Sequence, residues 1–134
     1  MATYITLRDD YNARTIRLCS DLFKLTQHEN FRRLSELIQN DIEALQPALI
    51  LWKHIDQMKP EHVQNVLEGN KAFFESDSFE DERAGSLVGE FRNVWHKLSA
   101  QNQNAVFTKL QNVFRIAERI RNDFYDDLVH EAIM

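Results

Sequence analysis

The residues best suited to chemistry are two Arg-Asn pairs, each with a histidine downstream: Arg92-Asn93 followed by His96, and Arg121-Asn122 followed by His130, a fixed cation beside a group that can carry a proton. The five histidines, His28, His54, His62, His96 and His130, never recur at the one-turn spacing that lets two imidazoles grip a metal from one helix face, and Cys19 has no second thiol beside it. Histidines scattered in this way are expected at helix ends and on the surface. The acidic run Asp77, Glu80, Asp81 and Glu82 has the charge of a calcium loop but lacks its alternating ligands, central glycine and closing glutamate. Its expected work is to complement a helix dipole at an N-terminus. Lys109, Arg115, Arg119 and Arg121 form a basic stretch broken by Glu118 and followed by Asp123, Asp126 and Asp127, the pattern of a solvated face with intrahelical pairs. No catalytic residue, metal ligand or cofactor motif emerges from these patterns.

The two Arg-polar-His groups resemble the signature of the HEPN ribonucleases, a helical family in which Arg and His flank a cleft and stabilise charge during RNA cleavage. Three residues intervene between Arg92 and His96 and eight between Arg121 and His130, so neither group keeps the spacing of that family. The expectation is therefore a non-enzyme, with a degenerate HEPN-like ribonuclease as the alternative.

The elements that must carry these residues are helices. A chain of 134 residues is near the commonest size for one domain, and 43% hydrophobic with 28% charged residues is an ordinary globular composition. Only 3 Gly and 2 Pro leave too little turn chemistry for a protein made of strands. A net charge of -5 disfavours broad contact with nucleic acid or an anionic membrane. No apolar run approaches the roughly 18 residues of a membrane span, the first residues lack the pattern of a signal peptide, and a lone cysteine suits a reducing compartment. A cytoplasmic, intracellular setting is expected.

Along the chain, Thr6 with Asp9 has the spacing of a capping box, and the apolar stripe Tyr11, Ile16, Cys19, Leu22, Phe23 and Leu25 predicts a first helix ending near Thr26. Asn30 is placed to cap a second, whose inner face is Phe31, Leu34, Leu37, Ile38, Ile42 and Leu45. Pro47 interrupts it, a buried helix over residues 48–58 follows, and Pro60 opens a further helix with Val63, Val66 and Leu67 inside. Gly69 is expected to close that helix in a left-handed turn, before an exposed loop over residues 75–78. Ser78 with Asp81 predicts the next start, carrying Leu87, Val88, Phe91, Val94, Trp95 and Leu98 inward past Gly85 and Gly89. Ser99 caps the last helix, where Val106, Leu110, Val113, Ala117, Ile120, Phe124 and Leu128 give the strongest periodicity in the chain. The expected fold is all-α: a single domain over residues 1–134, a compact bundle of about five to six helices with a long C-terminal helix.

Trp52, Ile55, Val63 and Leu67 align at a constant offset with Trp95, Leu98, Val106 and Leu110, which reads as similar packing of two helical hairpins. The stretch Val94-Trp95-His96-Lys97-Leu98-Ser99-Ala100-Gln101-Asn102, continuing through Val106-Phe107 to Leu110-Gln111, resembles a pattern in small helical proteins of large (nucleocytoplasmic) DNA viruses. Trp52, Lys59-Pro60-Glu61-His62 and Val66-Leu67 are similar to the middle region of the same group. The resemblance implies a viral gene product without catalytic residues. Aromatic residues are numerous, with Phe73, Phe74, Phe79, Phe91, Trp95, Phe107, Phe114 and Phe124 in the second half, and a small domain is expected to leave some at its surface. Trp52, Phe73, Phe74 and Trp95 are therefore the candidate partner-contact residues, for self-association as a homodimer or higher oligomer or for a protein partner. A virion component or an adaptor acting on a host or viral machine fits that chemistry, with a nucleic-acid packaging protein as a lesser alternative. Neither a cofactor nor a small-molecule substrate is expected.

Overall fold

The computed structural model describes residues 3–75 and 87–133, and among these every regular element is helical. In chain order they are α1 (Tyr4–Thr26), α2 (Glu29–Glu43), α3 (Leu49–Gln57), α4 (Pro60–Leu67), a 3₁₀ turn (Lys71–Glu75), α5 (Leu87–Trp95), α6 (Ala100–Asp123) and α7 (Tyr125–Ile133). The all-α expectation holds, but the described residues contain seven α-helices where periodicity suggested five to six. The extra helix comes from the C-terminal end. The stripe from Val106 to Leu128 crosses a break at Phe124, whose ψ of 23° and φ of -135° leave the helical region. Asp126 and Asp127 then supply the negative charge that favours a new helix N-terminus. The break is one residue long, so the inward spacing survives it. Ser78, Asp81, the acidic run, Phe79 and Gly85 lie outside the described residues.

Local chemistry explains most boundaries. α1 starts one turn earlier than the Thr6–Asp9 spacing suggested, because the Thr3 hydroxyl accepts the Thr6 N–H at 3.2 Å. α2 begins after His28 with no side-chain cap, and Asn30 sends its amide instead to Glu90 Oε1 at 3.0 Å. Pro60 occupies the first turn of α4, and the Ser99 hydroxyl accepts the Asn102 N–H at 3.2 Å to open α6. The end of α4 is a Schellman turn: Gly69 N–H bonds Val66 O at 3.1 Å, Asn70 N–H bonds Asn65 O at 3.0 Å, and Gly69 takes the left-handed φ of 81°.

Helix α6 is the hub. α1 and α4 pack on it, α7 follows it, and α3 touches both α6 and α7. Val106, Phe107, Leu110, Val113, Phe114, Ala117 and Ile120 form its buried stripe and belong to one continuous core with Leu18 and Leu22 of α1 and Phe31 of α2. The second half is held by a cluster of aromatic rings, Phe74 stacked on Trp95 and the others tilted or edge-on. Phe74 of the 3₁₀ turn lies 5.0 Å from Phe91, 5.2 Å from Trp95 and 5.7 Å from Phe107, and Trp95 lies 6.1 Å from Phe107. Polar ties accompany it: Gln103 Nε2 donates to Trp95 O and Gln111 Nε2 to Val66 O, each at 3.0 Å.

Phe74→Ala would empty the middle of this stack. We expect a loss of about 3–5 kcal/mol in urea unfolding, the usual range for a buried phenylalanine. A loss below about 1 kcal/mol would show that the stack does not hold α5 to α6.

Candidate functional site

Two of the four residues expected to meet a partner are inside. Phe74 is 0% exposed and Trp95 1%, while Trp52 is half-buried against the core. This corrects the reading of surplus aromatic surface: Phe74, Phe91, Trp95 and Phe107 cover one another ring on ring, and Phe114 is buried in α6. A cluster of this kind absorbs more aromatic area than helices packing one pair at a time. The side chain of Phe73 lies outside the described residues. The indole Nε1 of Trp95 has no acceptor among the described residues.

The histidines divide. His96 and His130 are exposed, as expected, but His54 and His62 are buried, which corrects the expectation of surface positions. The Tyr11 hydroxyl meets His54 Nδ1 across the α1–α3 interface. Burial holds the Tyr11 phenol well above its ordinary pKa and pushes the His54 imidazole down to about 4. Both are thus neutral near pH 7, so the phenol donates and Nδ1 accepts. His54 and His62 also line, with Met58 and Phe114, a cavity of about 20 Å³, room for about one water. His28 sits half-buried at the start of α2, its Nε2 2.6 Å from Oε2 of the buried Glu90. That pair and the Asn30 amide fasten the α1–α2 corner to α5. Among the described residues no three His, Cys, Asp or Glu side chains gather as ion ligands, and no helix is long and apolar enough to cross a membrane. Cys19 is buried in the core of α1, and burial pushes its thiol up to about 12, the state of an unreactive side chain.

The Arg-polar-His groups are not gathered into one cleft by any contact between them among the described residues. Arg92 is half-buried on α5, and His96 follows the end of that helix in solvent. Arg121 lines two shallow grooves, one with Pro60, Gln64 and Glu118 and one with Asp56 and Tyr125, and His130 lies a helix away on α7. Of the basic stretch, Lys109 pairs with Asp21 at 2.5 Å and Arg115 donates to Asn112 at 3.1 Å.

The exposed apolar surface lies elsewhere. Leu45 was read as the inner end of the α2 stripe, yet it is 87% exposed, and Leu37 and Ile42 of that stripe are exposed too. Leu37 lies off the buried face of Phe31, Ser35 and Ile38, and for Leu45 the reason is the end of α2. Leu45 N–H bonds Ile42 O at 3.1 Å and Gln46 N–H bonds Asp41 O at 2.7 Å, the same Schellman turn that closes α4. Leu45 therefore stands where α4 has Gly69, with φ at 60°. A left-handed leucine costs roughly 1–2 kcal/mol that a glycine does not. The turn also swings the side chain off the core and into solvent. Beside it runs a groove of about 620 Å³ floored by Asn12, Ala13 and Ile16 of α1, walled by Ile42 and Pro47, and rimmed by Arg8, Asp9 and Glu131. Ile5, 57% exposed, continues the same face of α1. The sequence signal for this site was a helix ended by Pro47 with no Gly or Asn in the slot two residues earlier.

Comparison of the chain with protein-family models, characterised proteins and solved structures returns no match.

Two measurements probe this geometry. Because folded His54 resists protonation and unfolded His54 does not, the unfolded chain binds more protons between pH 6.5 and about 4. Stability should be fully present above pH 6.5 and fall through that window by on the order of 3 kcal/mol more than in His54→Gln. Equal pH profiles for the two proteins would contradict the burial of a neutral imidazole. Leu45→Asn, which accepts the left-handed turn and gives up little buried surface, should raise stability by about 0.5–1 kcal/mol in urea unfolding. Destabilisation would mean that Leu45 packs inward.

Proposed function

We propose that the protein works by protein–protein contact and not by catalysis, as an adaptor or virion component of the kind the viral resemblance implies. The observation that carries the reading is Leu45: an apolar side chain kept 87% exposed, on a backbone conformation that disfavours it, at the edge of an apolar groove. The folded chain gains nothing from a leucine there, whereas a binding partner can bury it. Trp52, half-buried on α3, is the residue of the original aromatic set that retains accessible surface among those described.

One observation favours the second reading, a degenerate HEPN-like ribonuclease or a nucleic-acid packaging protein. Arg121 faces two grooves and forms no ion pair among the described residues. Acidic neighbours in both grooves, Glu118, Glu68 and Asp56, weigh against holding a phosphate chain there.

The two readings separate in one set of variants. Immobilised protein should capture a stoichiometric partner from its native source, and Leu45→Asn should weaken that capture by about tenfold or more while Arg121→Ala leaves it unchanged. No protein in the set should cleave RNA. Cleavage lost in Arg92→Ala or Arg121→Ala, with capture indifferent to Leu45→Asn, would reverse the assignment.

A further inference from the structure

The groove beside Leu45 has a charge pattern that selects its occupant. Arg8 bridges Asp9 at 2.9 Å and Glu131 at 2.5 Å, but the guanidinium side chain is 13% exposed while the two carboxylate side chains are 59% and 31% exposed. The positive charge lies underneath and the negative charges face out. On α1 the next cation, Arg14, is already paired with Asp10 at 2.9 Å, and exposed Arg17 stands one turn beyond Ala13 at the far end. α2 ends at the groove with the negative pole of its dipole and carries no basic residue in its last turn, which holds Asp41 and Glu43. In the floor, Asn12 is 2% exposed, and its amide donates to Pro47 O at 2.7 Å while its Oδ1 has no partner among the described residues. Apart from Arg8, which is held by its two carboxylates, and the Asn12 amide, which is taken by Pro47 O, the polar groups lining the groove are acceptors or anions. Among them stand the apolar residues Ile5, Ala13 and Ile16, spread over about 16 Å of α1 by helix rise and interrupted by Asp9 and Asn12, with Ile42 and Leu45 beside them.

We infer that this groove receives a cationic amphipathic helix from a partner protein, about three turns long, with an apolar stripe over Ala13, Ile16, Ile42 and Leu45 and Lys or Arg residues flanking it. The assignment rests on the protein-contact reading above and adds the chemistry of the partner. A second copy of this chain is the poorer occupant, because its net charge of -5 would bring like charge onto the acidic rim.

The test uses the full chain, isotopically labelled, and two synthetic helical peptides of 15 or so residues with the same leucine stripe, one flanked by lysines and one by glutamates. The lysine peptide should shift the amides of Ala13, Ile16, Ile42 and Leu45, bind roughly tenfold more weakly on raising salt from low to physiological strength, and lose about tenfold in affinity with Leu45→Asn, whose fold is independently verified. The glutamate peptide should not bind. Binding of both peptides in the groove overturns the charge assignment and leaves the contact reading standing. Shifts mapping elsewhere, unchanged affinity with Leu45→Asn, or no binding by either peptide overturn the inference, and the capture experiment then judges the contact reading on its own. Sedimentation showing a dimer that Leu45→Asn dissolves would assign the groove to a second copy instead.

Discussion

The stack of Phe74, Phe91, Trp95 and Phe107 ties the second half of the fold to α6. It joins a 3₁₀ turn and a nine-residue helix to the central helix, elements too short to be stable without such packing. Everything else is arranged around the same helix: α1 and α4 lie against it, α2 lies on α1, and α3 reaches α6, α7 and α1. Placing the largest rings in one cluster also decides what the surface can be. With these four rings inside, the large apolar residues exposed among the described residues are aliphatic except Tyr125, and most of them lie near helix ends.

The end of α2 shows how a backbone rule can create a surface feature. A Schellman turn needs one residue in the left-handed region, and α4 supplies a glycine where α2 supplies a leucine. The hydrogen bonds of the two turns are equivalent, so the turn itself does not require the side chain. What the leucine adds is exposed apolar area next to Ile42, Ala13 and Ile16, beside a rim whose more exposed charges are the carboxylates of Asp9 and Glu131. Shape and charge together give this patch a direction that a scattered exposed leucine lacks.

Much of the fold was legible because helical periodicity and the two prolines act locally. Pro47 and Pro60, Gly69 and Ser99 each mark a boundary through a hydrogen bond that is made or missing within a turn. Harder to read was any feature set by packing between distant segments. The Phe124 break kept the inward spacing across it, so periodicity ran through as one helix. His54 looked like a surface residue because nothing in its neighbourhood reveals that Tyr11, 43 positions away, meets its ring. The aromatic surplus suggested a sticky surface because counting side chains says nothing of how well rings cover one another. Leu45 kept the helical spacing of a core residue, and only the turn geometry turned it outward. Of the candidate contact residues, Trp95 and Phe74 are therefore inside the core, and the proposed α1–α2 groove rests on residues that periodicity had assigned to the interior.

On the proposal above, contact is made at the Leu45 groove and not across the aromatic half of the molecule. Placing a photo-crosslinking amino acid at position 45 and, separately, at exposed position 96 tests it most directly. Under illumination with the native partner mixture, position 45 should give a discrete heavier adduct and position 96 should give none. Adducts from position 96 alone would contradict the account.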